Sequence, residues 1–426
     1  MSSEPEEKKT ALVLSGGGAR GAYEAGVLKY IREEFASILG HQPRFDIICG
    51  TSVGAVNACY VAATVHESEV QGKRLADIWE GLVLDEMYEI GLRDLLSIPW
   101  RFFRGKPLHA EAIGHGGRLP RRLGGFLNTA PMERIVMRGI PWRNICKNFQ
   151  AGHIQALSVS CTEMSSGKTA VFAQFREGIS PQWARDVTVI HRTARIGPTH
   201  ALASAAIPLL FPAVRVGHSY FCDGGLRQNT PLSPALRLGA DRVLVIGLRH
   251  STEKRFGDLS DEIHASHGKL PQSLTAYANP IFLLGKVLDA LLLDRTDYDL
   301  DRLRLFNALL EGGEKAYGPD FLERINSFIV PVRGAPYRKV KELYIRPSED
   351  IGAIASRHAR KGKIGWSLKG FVAQVLKRFA LQGSPRGEAD LLSYLLFDGA
   401  YEKALVHLGM ADAAAHREQL REFFSG

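Results

Sequence analysis

The sequence lacks a long apolar run. No uninterrupted apolar stretch reaches the ~18 residues that a membrane-spanning helix needs. The nearest candidate, residues 281–293, is too short and contains Lys286 and Asp289. Residues 1–9 are polar and charged, without the apolar core of a secretory signal peptide. We therefore expect a disordered tail over residues 1–9 and a cytoplasmic protein, with at most peripheral contact with the inner membrane surface.

Cysteine is scarce, and its pattern excludes small folds that are stabilised by disulfides or by zinc. The chain has five cysteines, an odd number, and no Cys-x-x-Cys pair. Neither a disulfide framework nor a thiolate zinc site is indicated, and no clustered His/Cys spacing suggests another metal site. We expect buried free thiols, no metal and no cofactor. The cysteines are Cys49, Cys59, Cys146, Cys161 and Cys222.

Acidic residues are too few to balance the basic ones. With 54 lysines and arginines against 45 acidic residues, the net charge is +9, which favours anionic partners. No nucleic-acid-binding signature is present, so we expect no nucleic acid partner. Residues 99–106 mix aromatic and cationic side chains, as at a lipid–water boundary, although a partly buried loop explains the same pattern. We expect transient contact with an anionic membrane surface; the sequence does not indicate the oligomeric state.

The order of apolar runs and glycine turns predicts an α/β fold. Residues 11–14 and 45–49 are short buried strands, each followed by a glycine turn and an apolar helix. This repeated strand–turn–helix order indicates a parallel sheet with helices packed on its faces. Further strands are predicted at 154–160, 169–175 and 242–248, and a short helix at 199–206. The region 251–426 is predicted to be mostly helical, with strand candidates at 328–332 and 343–345.

The strongest single motif is a serine between two glycines at the second strand–helix turn. Gly50-Thr51-Ser52-Val53-Gly54 has the pattern GxSxG of a nucleophile elbow, in the strand–turn–helix context that the elbow requires. The turn presents the serine hydroxyl at a helix N-terminus, where developing negative charge is favoured. A structural turn in which the serine only caps the helix fits this motif equally well when it is taken alone.

A glycine-rich loop follows the first strand. Gly16, Gly17 and Gly18 precede Ala19, and Arg20 and Gly21 complete the segment. Without side chains in the way, the N–H groups of such a loop can converge on the oxyanion of a tetrahedral intermediate. Arg20 would add positive charge nearby or brace the loop.

The same glycines also fit the GxGxxG pattern of a dinucleotide-binding turn. That pattern expects an acidic residue at the end of the second strand. Here Asp46 lies at the beginning of that strand, where it cannot reach a ribose, and Ser52 follows its end. The sequence therefore favours the hydrolase over the nucleotide-binding interpretation.

An acidic motif follows the apolar segment 220–222. Asp223 precedes Gly224 and Gly225, an arrangement that suits an active-site carboxylate at a strand end. Asp-Gly is also a common tight turn, so this motif alone favours a turn.

The three motifs together resemble the patatin-like phospholipase family, and its bacterial members in particular. The family pattern is a glycine loop with a basic residue, then a GxSxG elbow, then an Asp-Gly-Gly motif. This chain has them in that order at 16–21, 50–54 and 223–225. The resemblance covers about residues 10–250, the expected catalytic domain. It implies a three-layer α/β/α fold with a central mostly parallel sheet, plus a helical C-terminal region, 251–426, that packs on this domain or extends it.

The resemblance also implies a chemistry without histidine. Ser52 would attack the ester carbonyl of a lipid, and Asp223 would take its proton. The N–H groups of Gly17, Gly18 and Val53 would stabilise the oxyanion, and water would hydrolyse the acyl-enzyme. A carboxylate is a weak base at neutral pH unless its site is dry. The implied activity is that of a phospholipase A, a lysophospholipase or a lipase.

Three alternatives stay open at this point. Ser52, Asp223 and His250 satisfy the chain order of an α/β-hydrolase triad, although we expect His250 to be a solvated loop residue. A catalytically silent scaffold that binds lipid or a protein partner would share the fold. Acyl transfer to an acceptor other than water would use the same residues. Head group, chain length and ester position depend on the shape of the pocket.

Overall fold

The computed structural model describes residues 8–87, 120–250, 296–360 and 390–425, except Phe126, Ser180, Gln182, Ala184 and Arg185. Residues 99–106, the apolar segment 281–293 and most of the predicted N-terminal tail lie outside the described residues.

The described residues form one sheet of ten strands surrounded by helices. The strands are β1 Thr10–Leu14, β2 Ile47–Thr51, β3 Arg122–Leu123, β4 Ala156–Glu163, β5 Thr169–Phe175, β6 Val189–Thr193, β7 Ala213–Val216, β8 Ser219–Asp223, β9 Arg242–Ile246 and β10 Lys341–Ile345. The helices are α1 Gly21–Tyr30, α2 Ala36–Leu39, α3 Val53–Thr64, α4 Ser68–Glu80, α5 Ala130–Gly139, α6 Trp142–Gln150, α7 Pro198–Ser204, α8 Leu232–Arg237, α9 Thr296–Tyr317, α10 Phe321–Arg333, α11 Ile351–Arg360, α12 Asp390–Leu395, α13 Gly399–Ala415 and α14 Arg417–Ser425.

The sheet is parallel on one side and antiparallel on the other. Its main order is β10-β9-β1-β2-β4-β8-β7-β3, and β5 and β6 branch from β4. The pairs from β10 to β4 are all parallel. From β4 through β8 and β7 to β3 the pairs are antiparallel. The parallel half contains the strand that leads to Ser52, and the antiparallel half contains the strand that ends at Asp223.

Alternating side chains of the central strands enter two separate apolar cores, which gives the three layers. Leu12 and Leu14 of β1 pack into the core beneath α1, α3 and α4. Ala11 and Val13 point to the other face, into the core with α8 and α9. A strand buried on both faces is continuously apolar, which is why β1, β2 and β9 are recognisable in the sequence. The α/β/α architecture is therefore confirmed, around a mixed sheet.

Of the two strand candidates in the C-terminal region, one is confirmed and one is wrong. Residues 343–345 lie in β10, which extends the sheet beside β9. Residues 328–332 instead form the last turns of α10, although Pro331 lies inside this helix. Phe328 is 77% exposed and Val332 is 75% exposed, so neither side chain is buried as it would be in a strand of the sheet. A short run of β-branched and aromatic residues has strand propensity, but tertiary context overrides it here.

Helix α13, in the C-terminal part of the chain, packs closely against α1. A Cβ atom at Gly26 would lie 2.1 Å from the carbonyl oxygen of Val406. A Cβ atom at Gly409 would lie 2.2 Å from the carbonyl oxygen of Tyr23. Because both positions are glycine, the backbones of α1 and α13 can come into direct contact. The described residues after 296 therefore pack against α1 and also extend the sheet.

Candidate active site

The Ser52 turn has the strained backbone of a nucleophile elbow. Ser52 has φ 55° and ψ −127°, a conformation that L residues rarely adopt, directly between β2 and α3. A Cβ atom at Gly50 would lie 2.2 Å from the carbonyl oxygen of Gly54, and one at Gly54 would lie 2.5 Å from that of Leu14. Only glycine fits at both positions, so the sequence allows the sharp turn that raises the serine above the sheet.

Ser52 and Asp223 are in direct contact, although 171 positions separate them in the chain. The Ser52 hydroxyl donates to Oδ2 of Asp223 at 2.6 Å, while Oδ1 accepts from the backbone N–H of Gly225 at 2.7 Å. The carboxyl group is fully buried and Ser52 is 4% exposed. Gly224 lets the chain pass β4, since a Cβ atom there would lie 2.2 Å from the carbonyl oxygen of Ser160.

The environment of Asp223 makes its carboxylate a better base. Burial raises its pKa from 3.8 to about 6, because the ionised form loses solvation. The hydrogen bonds from Ser52 and Gly225 lower the pKa and partly oppose this effect. At neutral pH the carboxylate is still mostly ionised. Such a group can accept the hydroxyl proton of Ser52 when the serine attacks a carbonyl carbon.

The glycine loop lies beside the serine. Gly16 and Asn229 exchange two hydrogen bonds, from Gly16 N–H to the Asn229 carbonyl and from Asn229 Nδ2 to the Gly16 carbonyl, both 3.1 Å. A Cβ atom at Gly16 would lie 2.9 Å from Cβ of Ser52. Within the described residues, the N–H groups of Gly17, Gly18 and Val53 donate to no acceptor. Gly18 and Val53 also line the cavity at Ser52, as an oxyanion-binding role requires.

Contacts of Arg20 and Gly21 hold the glycine loop in place. Nε of Arg20 donates to Oγ of Ser393 at 2.9 Å, and its guanidinium carbon lies 4.1 Å above the ring of Tyr394. Of the two roles expected for Arg20, these contacts fit the bracing role. Gly21 faces Val53, whose Cγ2 would lie 2.6 Å from an added Cβ atom.

An apolar cavity opens at the serine. It runs between α3, α4, α5 and α7. Its walls are mostly aliphatic and aromatic, which suits a fatty acyl chain. Besides Gly18, Ser52 and Val53, the lining residues are Val56, Asn57, Tyr60, Leu75, Ile78, Trp79, Leu82, Met132, Ile135, Val136, Gly139, Ile140, Leu202, Ala205, Ile207, Phe211 and Phe397.

Sequence reasoning missed a second hydroxyl group at the elbow, that of Ser204. Oγ of Ser204 accepts the backbone N–H of Ser52 at 2.8 Å and donates to the carbonyl of Ser160 at 2.6 Å. This relay fixes the strained serine backbone to β4 and to the end of α7. The sequence predicts a short helix over 199–206, but nothing in its local pattern indicates this contact.

The residues of the two rival interpretations lie elsewhere. Nδ1 of His250 is 3.0 Å from the carbonyl oxygen of Pro347, and the ring contacts neither Ser52 nor Asp223. Asp46 accepts the backbone N–H of Thr10 at the start of β1, at the opposite end of the strands from the glycine loop. Neither a histidine triad nor a ribose-binding carboxylate is formed by these residues.

Among the described residues, no group of three or more His, Cys, Asp or Glu side chains is placed to hold a metal ion. All five cysteines are free; four of them are buried and Cys146 is half-buried. No helix within the described ranges is long and apolar enough to cross a membrane.

The described residues thus form an α/β protein in which a serine at a strand–helix turn is hydrogen-bonded to a buried aspartate. The family model for patatin-like phospholipase matches residues 12–236, more than half of the chain. The chain therefore belongs to the patatin-like phospholipase family, a family of lipid hydrolases.

Known proteins that are similar to this chain include a curated phospholipase and a protein of solved structure. A cGAMP-activated phospholipase of Pseudomonas aeruginosa (strain BWHPSA011 / Pa011) is 30% identical over 232 residues. The match covers 52% of this chain and 53% of the relative, so the chain spans about half the length of that curated relative. The crystal structure of VipD from Legionella pneumophila aligns with 98% of this chain and 75% of its own at 13% identity, with a TM-score of 0.29.

Proposed function

We propose that this protein is a serine acyl hydrolase that cleaves ester-linked fatty acids from lipids with Ser52 as nucleophile and Asp223 as base. The observation that carries the proposal is the 2.6 Å hydrogen bond between the two side chains, in a buried site at the mouth of an apolar cavity. Family membership supports lipid hydrolysis in general. The dyad and the substrate class are our own inference.

In the proposed reaction, Oγ of Ser52 attacks the ester carbonyl carbon as its proton passes to Asp223. The N–H groups of Gly17, Gly18 and Val53 stabilise the oxyanion of the tetrahedral intermediate. The intermediate collapses to an acyl-enzyme, and the leaving alcohol takes the proton from Asp223. Water then attacks the acyl-enzyme, gives a proton to the same carboxylate, and releases the fatty acid as Ser52 recovers its proton.

The site supports a long-chain lipid ester as substrate. The apolar cavity can hold one acyl chain, while the head group stays outside it. We propose that the enzyme works transiently at an anionic membrane surface, because the chain has a net charge of +9. Phospholipids, lysophospholipids and neutral lipids all satisfy these conditions, and acyl transfer to another acceptor would use the same residues.

The test is hydrolysis of phospholipid vesicles, with released fatty acid measured by mass spectrometry. Wild type and His250→Ala are expected to release fatty acid, while Ser52→Ala and Asp223→Asn lose at least about a thousandfold in kcat. Vesicles containing anionic lipid should be hydrolysed faster than zwitterionic vesicles, and the difference should shrink in high salt. An inactive His250→Ala variant that remains folded would indicate a triad instead of a dyad.

As a second candidate, we propose that hydrolysis is switched on by a cyclic dinucleotide. The relative from Pseudomonas aeruginosa is named as a cGAMP-activated phospholipase. A chain of hydrogen-bonded hydroxyl groups connects α9 to the segment before the glycine loop. This chain supports a path by which the effect of a bound nucleotide reaches the site. Ser15, which precedes the glycine loop, lies 2.7 Å from Oγ1 of Thr230. Thr230 in turn accepts from Thr296, the first residue of α9, at 2.6 Å.

The activation test compares the vesicle hydrolysis rate with and without cGAMP, with a linear dinucleotide as control. A rise in rate with cGAMP alone supports regulation. A rate that is high without nucleotide and unchanged by it would contradict this second candidate and leave the hydrolase proposal intact.

A further inference from the structure

A second cavity lies on the other face of the sheet from the acyl cavity. It lies between α8, α9 and residues 333–340, which begin at the last residue of α10. Leu232, Leu303 and Val340, which belong to the core on this face, form its floor. The cavity is thus separated from Ser52 by the sheet, and the chemistry proposed above does not use it.

Arginines dominate the polar lining of this cavity. Arg237, Arg302, Arg333 and Arg338 line it, with Asp299 as the acidic residue. Arg338 already donates to the carbonyl of Gly239 at 3.0 Å and lies 3.7 Å from Asp241. Within the described ranges, the other three arginines form no ion pair with a carboxylate. Four arginines and one acidic residue therefore line this cavity, and Arg237 is also influenced by Asp186, so positive charge exceeds negative charge here.

Arg237 in particular has an unsatisfied donor. Its Nη1 atom is buried and has no hydrogen-bond partner. Burial and the nearby charge of Arg333 lower the pKa of Arg237 to about 10, so the guanidinium remains charged at neutral pH. A buried charged donor without an acceptor is costly, and an anion in the cavity would supply the acceptor.

Arg333 is held in place by its own surroundings. Its Nη1 atom donates to the carbonyl groups of Ala335 and Pro336, both at 3.2 Å. Its guanidinium carbon lies 4.7 Å from the centre of the Tyr337 ring, which stacks on Phe306 at 5.2 Å. An arginine fixed in this way loses little further side-chain entropy when it binds a ligand.

We propose that this cavity is a binding site for a small phosphate ester, held by Arg237, Arg302 and Arg333. Guanidinium groups pair with phosphate oxygens through two parallel hydrogen bonds, and several arginines around one cavity suit a doubly charged group better than a single carboxylate. A nucleotide and a lipid head group both present this chemistry. The inference rests on the cavity alone and holds whether or not a cyclic dinucleotide activates the enzyme.

The test is calorimetric titration of the full chain with inorganic phosphate, AMP and glycerol 3-phosphate. At least one of the three is expected to bind the wild type. Arg302→Ala, on the exposed surface of α9, and Arg333→Ala should each weaken that binding by roughly tenfold to a hundredfold. Arg304→Ala is the matched control, because Arg304 lies on the same helix but pairs with Glu342 and Asp301 outside the cavity lining.

Tighter binding of AMP would identify a nucleotide ligand, and tighter binding of glycerol 3-phosphate a lipid head group; both results support the site. The proposal is overturned if none of the probes binds, or if Arg304→Ala weakens binding as much as the two cavity variants. Circular dichroism of each variant establishes that it is folded, and Arg237→Gln provides a third variant that keeps a donor and removes the charge. Hydrolysis is not part of the readout, so failure here is distinguishable from failure of the proposed activity.

Discussion

Replacing Asp223 by asparagine is expected to abolish hydrolysis and, above pH 7, to stabilise the fold. The carboxylate is fully buried and its pKa is raised from 3.8 to about 6, first by burial. Asparagine is nearly the same shape. Its oxygen can still accept from the N–H of Gly225, and its amide can donate to Oγ of Ser52. The substitution therefore removes a buried charge and the catalytic base while it keeps the two hydrogen bonds.

The size of the effect follows from the raised pKa. The gap between 3.8 in the unfolded chain and about 6 in the folded protein corresponds to about 3 kcal/mol. Because the folded pKa is the higher one, ionisation destabilises the native state fully above pH 6, less between pH 6 and pH 4, and not below 3.8. For a chain of 426 residues this is about 3 °C in Tm.

The assay is thermal unfolding of both proteins from pH 8 to pH 4.5, followed by intrinsic fluorescence. The Tm of Asp223→Asn should exceed that of the wild type by about 3 °C at pH 8, and the difference should shrink toward pH 4.5. Ser52→Ala is the matched control, since it is equally inactive but keeps the buried carboxylate. A difference that is negative or independent of pH would refute the account of Asp223 as a desolvated base.

Four further outcomes follow from the structure. The kcat/KM of the wild type should rise with pH through an apparent pKa near 6 and fall about tenfold per pH unit below it, measured with a soluble ester. Val56→Trp should fill part of the acyl cavity and reduce kcat/KM for long-chain esters at least about tenfold, with short-chain esters as the control substrate. Gly312→Ala should stabilise α9 by up to about 1 kcal/mol, because its Cβ atom meets open space. Gly313→Ala should destabilise the fold instead, since its Cβ atom would lie 2.0 Å from the Phe321 ring; urea unfolding compares the pair.

The local sequence predicts only those parts of the site that the local backbone geometry requires. The elbow around Ser52 needs Gly50 and Gly54 because neighbouring backbone leaves no room for Cβ atoms. Buried parallel strands such as β1 and β9 are continuously apolar, so their positions are recognisable. Asp223 was recognisable only through the resemblance, because Asp-Gly-Gly by itself indicates a turn.

Contacts between distant segments could not be predicted in this way. Arg20 binds Ser393 at a separation of 373 positions, and the relay through Ser204 depends on how α7 meets the elbow. Nothing in the local pattern of Arg20 or Ser204 specifies these partners. The antiparallel half of the sheet was missed for the same reason, since strand pairing between distant segments sets it rather than local propensity.

Covalent labelling with a fluorophosphonate, followed by peptide mapping by mass spectrometry, decides whether Ser52 is the nucleophile. We expect a single adduct on Ser52, formed faster at pH 8 than at pH 5, much more slowly in Asp223→Asn, and not at all in Ser52→Ala. An adduct on another residue, or equal labelling of the wild type and Ser52→Ala, would contradict this assignment.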